Sequence, residues 1–168
     1  NFDKALSIDP DCVEAYANKG LALKDQGKLE EAIAASNKAL TLDPGYAEAF
    51  ICKGNAFLEM GQLEEAILAY KQACSVNPES AQAYRNLSTI MKYEAGNHQI
   101  SAVSQLIRNS NVKDPDRCEL HYAYAKMQED IGNISGAFSN YQLGGRLRRK
   151  LLSYDPLNDE HIFALIKE

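Results

Sequence analysis

The chain reads as an all-α stack of helical hairpins, and three observations lead there. A 34-residue segment recurs in frame, residues 13–46 against 47–80. Inside each copy the small and apolar positions return at helical spacing. No stretch reads convincingly as a strand.

The repeat assigns each element in turn. Fourteen of the aligned pairs are identical, among them Glu14/Glu48, Gly20/Gly54, Gly27/Gly61, Ala32/Ala66, Ala39/Ala73 and Pro44/Pro78. In the first helix of each unit Tyr16, Gly20 and Leu23 share a face, and Gly27 ends it with a turn. In the second, Ala32, Ser36 and Ala39 form the packed face, with Ile33 and Leu40 beside them. Pro44 stands where a helix cannot continue. Gly20 and Ala32 are small so that the two helices of the hairpin approach closely, and Tyr16 and Leu23 supply bulk around them. Pro10 stands in the same frame as Pro44 and Pro78, so residues 1–12 read as the tail of a preceding repeat. That start, NFDKAL without an initiator Met, suggests a fragment.

Later units depart from the pattern. In 81–115 Tyr84 and Leu87 keep their places, but Ser88 replaces the glycine and Gly96 falls one residue late. Ser101 or Ala102 then has to serve as the small contact, with Ile100, Val103, Leu106 and Ile107 on one face. A further unit, 116–156, starts with Asp116 as expected N-cap and Glu119 three residues on. Its second helix outruns the standard length. Residues 157–168 read as a last amphipathic helix, either capping the array or acting as a linker.

Composition excludes several classes. The 168 residues are 45% hydrophobic and 24% charged, which suits a globular chain rather than a disordered one. A net charge of −5 and a pI near 5.3 argue against general nucleic-acid binding. No apolar run reaches the ~18 residues of a membrane span, and no secretory signal is visible. Cys12, Cys52, Cys74 and Cys118 are widely spread without a C-x-x-C pair, which reads as free thiols in a reducing, cytoplasmic setting.

The period and the residues at its signature places resemble the tetratricopeptide repeat. Tyr16, Gly20, Leu23, Ala32, Ala39 and Pro44 hold those places in one unit, and Phe50, Gly54, Phe57, Ala66, Tyr70, Ala73 and Pro78 in the next. The resemblance implies a right-handed α–α superhelix whose first helices line a concave groove. The residues expected in that groove are Glu14, Asn18, Leu21 and Asp25, then Glu48, Cys52, Asn55 and Glu59, then Gln82, Arg85, Asn86 and Lys92. Peptide-holding members of the family carry an asparagine ladder at the place of Asn18 and Asn86; here Cys52 breaks it. Members that clamp a chaperone C-terminus use polar residues where this chain has Ala17 and Leu21, so that role is not expected.

A second resemblance covers roughly residues 83–168. RNLS with Lys92 and Tyr93, the LHYAYAK and QEDIG runs, Ala137-Phe138, the G-G-x-L-x-R stretch and Tyr154-Asp155 are similar to the segment joining tetratricopeptide repeats to the catalytic domain in a bacterial sulfotransferase family. Gly145 and the IGNIS run depart from it. The resemblance implies a following domain that binds phosphoadenosine phosphosulfate. No phosphate-binding loop occurs in this sequence, so the chain would be the non-catalytic part of that enzyme.

The candidates for chemistry are few. Cys118 and His121 supply two ligands where a zinc site needs about four, and neither a metal nor a cofactor is expected. Glu30-Glu31 and Glu64-Glu65 sit at helix starts, where negative charge suits the macrodipole. Gly144-Gly145 reads as close packing or a kink. Arg146, Arg148, Arg149 and Lys150 form the strongest charge run. It reads first as a solvated face near a helix C-terminus, and otherwise as a contact for phosphates, an acidic partner or an attached domain. The function expected is a protein–protein interaction module binding a peptide or partner protein in its groove, as part of a larger sulfotransferase. The alternative is a stand-alone adaptor or self-associating scaffold, and the competing class is an enzyme acting alone.

Overall fold

A computed structural model describes residues 2–153. The expected last helix at 157–168 and the end of unit 116–156 with Tyr154-Asp155 lie outside the described residues. Within them the chain is helical throughout, with no strand. The helices are α1 (Phe2–Ile8), α2 (Val13–Asp25), α3 (Leu29–Leu42), α4 (Ala47–Glu59), α5 (Leu63–Val76), α6 (Ala81–Ile90), α7 (His98–Arg108), α8 (Asp114–Asp130) and α9 (Ile134–Leu151). They fall into two compact units, α1–α6 and α7–α9, divided after Tyr93. The helix pair expected over 81–115 is therefore shared between them. No helix among the described residues is long and apolar enough to cross a membrane.

In the first unit α2 pairs with α3 and α4 with α5. Each pair then covers the next: α4 packs on α2 and α3, and α6 on α5. Two devices repeat to build this. Hairpin turns close on glycine in the left-handed region, Gly27 at φ +74° and Gly61 at φ +75°. There Lys28 N–H reaches Leu23 O at 2.9 Å, and Gln62 N–H reaches Phe57 O at 2.9 Å, satisfying carbonyls the helix leaves open. Turns between hairpins instead close on a side chain. Asp43 Oδ1 accepts from Gly45 N–H at 2.8 Å, Asn77 Oδ1 from Glu79 N–H at 3.1 Å, and Asp9 Oδ1 from Asp11 N–H at 3.1 Å. Proline comes directly after each of the three, and it holds the preceding residue extended, so the helix stops there. The same side-chain turn, without the proline, ends α7 at Asn109, which accepts from Asn111 N–H at 3.0 Å.

The core of this unit is built from small residues. Ala32, Ala39, Ala66 and Ala73 are all fully buried. Leu23, Ala32, Ala35 and Ala56 form one cluster, edged by Leu29 and Ile33. Ala17, Ala39 and Ala49 form another, edged by Tyr16, Leu40 and Tyr46. Small side chains let helix axes approach closely, so many short contacts replace a few bulky ones.

The second unit is dominated by the α8–α9 hairpin, with α7 packed on α8. Leu120, Ala123, Met127 and Val103 are fully buried there. α9 runs unbroken through Gly144-Gly145. A Cβ on Gly144 would lie 3.3 Å from the Tyr122 ring, whereas one on Gly145 would meet nothing within 4 Å. Close packing thus explains the first glycine only.

Three local expectations need correcting. α6 stops at Ile90, and Met91 turns extended at φ −104°, ψ 139°, so Lys92 lies off the helix. The chain leaves the helix early and buries Tyr93, which is 1% exposed. α8 begins at Asp114 with Pro115 in its first turn and Lys113 as N-cap, so Asp116 is already helical. Proline favours the first helical turn because its missing N–H is not needed there. Neither Ser101 nor Ala102 is buried; the packed positions of α7 are Gln99 and Val103.

Candidate functional site

Where α2, α4 and α6 lie side by side, the first unit carries a depression of about 200 Å³. Six of the expected groove residues line it: Asn18, Leu21, Glu48, Cys52, Asn55 and Gln82. Ala17, Tyr46 and Ile51 complete the lining. Glu14, Asp25, Glu59, Arg85, Asn86 and Lys92 are not among the lining residues.

Cys52 is the main correction. Its place in the repeat points it outward into the groove, yet it is only 4% exposed. The cause lies in the packing of the neighbouring hairpin. Against Gly54 the second repeat places the Tyr70 ring; against Gly20 the first repeat places the small Ser36 side chain and the Ala32 carbonyl. Cys52 fills the space left there, with Sγ 3.2 Å from where a Gly20 Cβ would be. It forms the floor of the depression, and burial pushes its thiol up from its ordinary value.

One turn past Cys52 on α4 stands another asparagine, Asn55, which lines the depression together with Asn18. Asn55 Oδ1 accepts from Tyr70 Oη at 2.7 Å and from Asn86 Nδ2 at 3.0 Å. Asn18, Asn55 and Asn86 thus come from three successive first helices. Positions one repeat apart do not reveal this, because Asn55 is out of phase with the other two. Tyr70 anchors Asn55. Its ring is fully buried, and burial pushes its hydroxyl up to about 12.

The rim is acidic. Glu14 and Glu48 occupy equivalent places in the first turns of α2 and α4, and no cation lines the depression. Burial, then the charges of Glu48 and Glu14, raises the Tyr46 hydroxyl above its ordinary value. Farther along, Lys24 sits between Asp25 at 2.8 Å and Glu59 at 3.6 Å. Those two carboxylates are thereby drawn into a local charge cluster.

In the second unit, Arg148 pairs with Glu119 at 3.1 Å and Lys150 with Asp114 at 2.6 Å. Lys150 holds the Asp114 carboxyl below its ordinary value. Half of the basic run thus pairs α9 with α8, while Arg146 and Arg149 are exposed. Cys118 donates to Gly144 O at 3.4 Å, and His121 Nδ1 lies 2.8 Å from Asn140 Oδ1. Both side chains serve the α8–α9 contact.

Known proteins give the same picture of the fold. Family models described as TPR repeat match residues 20–61 and 54–88, and one described as tetratricopeptide repeat matches 1–34. No curated protein sequence matches the chain. Among solved structures, MamA aligns at a TM-score of 0.61 and 24% identity, covering 91% of this chain and 88% of that one. TTC0263, a thermophilic TPR protein of Thermus thermophilus, aligns at 0.62 and 19%, covering 98% and 87%. YrrB, described as a TPR protein with an unusual peptide-binding site, aligns at 0.54 and 19%, covering 89% and 84%. The matched segments together span residues 1–88 of 168, and the chain belongs to the tetratricopeptide-repeat family, with its α–α superhelical fold.

Proposed function

We propose that the first unit holds an extended segment of a partner protein across α2, α4 and α6, with the depression seating one of its side chains. The observation that supports this is the lining itself. An apolar floor of Ala17, Ile51 and Cys52 is flanked by three carboxamides, those of Asn18, Asn55 and Gln82, which is the make-up of a site that orients a chain while burying part of it. YrrB, which shares the fold, is described as carrying a peptide-binding site. Leu21, 46% exposed at the lip, offers the test. Leu21→Arg places a cation across the opening without touching the core. It should abolish partner capture in a pull-down while leaving the circular dichroism spectrum and the unfolding midpoint unchanged. Unimpaired capture would refute the placement.

The larger setting we propose is the non-catalytic part of a sulfotransferase in the cytoplasm. The resemblance of residues 83–168 supports the enzyme, and the free thiols Cys12, Cys52, Cys74 and Cys118 support the compartment. One side of α9 and its C-cap also leave Ile134, Phe138 and Leu152 more than 60% exposed, with Gly145 open between them. That side suits an attached domain. Equilibrium dialysis with phosphoadenosine phosphosulfate should show no binding to residues 1–168, and binding to a chain extended by the catalytic domain. Binding to 1–168 itself would refute this division of labour.

A further inference from the structure

We infer that the segment seated in the depression carries a single apolar side chain flanked by lysine or arginine, and that Asn55 donates a hydrogen bond to its backbone. This rests on the groove reading and adds the chemistry of the partner.

The size of the depression comes first. About 200 Å³ falls below the roughly 300 Å³ at which sites for drug-sized molecules begin. It has room for one aliphatic or aromatic side chain against Ala17 and Ile51. That is a better match to one side chain of an extended segment than to a drug-sized molecule.

Asn55 sets the polarity. A carboxamide oxygen has two lone pairs, and both on Asn55 are engaged, one by Tyr70 Oη at 2.7 Å and one by Asn86 Nδ2 at 3.0 Å. Its amide group is left to face the ligand as a donor only. Tyr70 is fully buried and cannot swing away, so the amide is fixed before anything binds, which lowers the ordering cost of association. A backbone carbonyl is the acceptor that every extended segment provides.

Charge selects the flanks. Glu48 lines the wall and Glu14 stands in the equivalent turn of α2, with no cation in the lining. Lys24, in the last turn of α2, is engaged by Asp25 and Glu59. An acidic segment would meet uncompensated like charge, and a basic one finds complementary charge within a Debye length of about 8 Å.

Selection from a displayed library of random peptides tests this, with the full chain as bait and Leu21→Arg for counter-selection. The enriched peptides should share one apolar residue with Lys or Arg on at least one side. In fluorescence anisotropy the selected peptide should bind at least tenfold more tightly than its Lys/Arg→Glu counterpart. Glu14→Gln with Glu48→Gln should shrink that ratio to about threefold or less, as would 0.5 M salt. Asn55→Ala should weaken binding about tenfold, equally for all sequences. Enrichment of acidic or uncharged peptides that still fail on Leu21→Arg would overturn the inference and leave the groove reading intact. Peptides that bind Leu21→Arg equally well, or no enrichment at all, would overturn both.

Discussion

Gly54→Ala is the most informative single change in the first unit. A Cβ at this position would lie 2.5 Å from Tyr70 Cε1, 2.7 Å from Cδ1 and 3.0 Å from Cζ. The ring cannot yield cheaply, because it is fully buried and its hydroxyl is held by Asn55 at 2.7 Å. Overpacking of this kind costs about 1–3 kcal/mol. Alanine returns close to ~1 kcal/mol through its better helix propensity. The net expectation is a loss of about 0–2 kcal/mol. Gly145→Ala is the internal control: it is also inside a helix, at ordinary φ, with nothing within 4 Å of the new atom. It should gain about 0.5–1 kcal/mol. Urea denaturation monitored by circular dichroism reads both. Combining Gly54→Ala with Tyr70→Leu should cost less than the sum of the single changes, because the clash partner is gone. If Gly54→Ala stabilises as Gly145→Ala does, the ring is not packed on the helix as described.

Burial leads to two further expectations. Tyr70 and Cys74 are both pushed up to about 12 by desolvation, from ordinary values of 10.0 and 9.0. The native state therefore holds these protons to higher pH than the unfolded chain does. The stability they contribute is complete below about pH 9 and is lost as pH climbs through 12. The urea midpoint should fall across that window, and Tyr70→Phe with Cys74→Ala should flatten the fall; a slope unchanged by the pair would contradict the assignment. Among the thiols, Cys12 is half-buried while Cys52, Cys74 and Cys118 are buried. A thiol-reactive chromophore should label one cysteine quickly in the native protein and the other three only on unfolding; two or more fast thiols would refute the packing around Cys52.

Much of the helical frame is legible in the sequence because it depends on local signals that repeat. The turn glycines Gly27 and Gly61 and the prolines Pro44 and Pro78 punctuate the chain where φ > 0 or a missing N–H leaves little choice. Where a boundary depends on tertiary burial, local signals are silent. Nothing near Ile90 says that the helix must stop, because the reason is the burial of Tyr93. At the start of α8, Asp116 has the chemistry of a cap, but Pro115 fits the first turn and moves the boundary ahead of it. The groove is partly legible for the same reason: periodicity gives the face of a helix, but not how deep each residue sits. Cys52 sinks because Ser36, in another hairpin, is small. Asn55 matters because it meets Tyr70 and Asn86 across helices, a relation that no comparison at fixed period reveals.

The central claim is that a partner segment lies in the depression formed by α2, α4 and α6. Backbone amide chemical-shift mapping with a selected peptide tests it most directly. Saturable shifts should concentrate at residues 17–21, 46–55 and 82, with a large change in the Asn55 side-chain amide. Shifts confined to α7–α9, or spread over the exposed faces of α3 and α5, would contradict it.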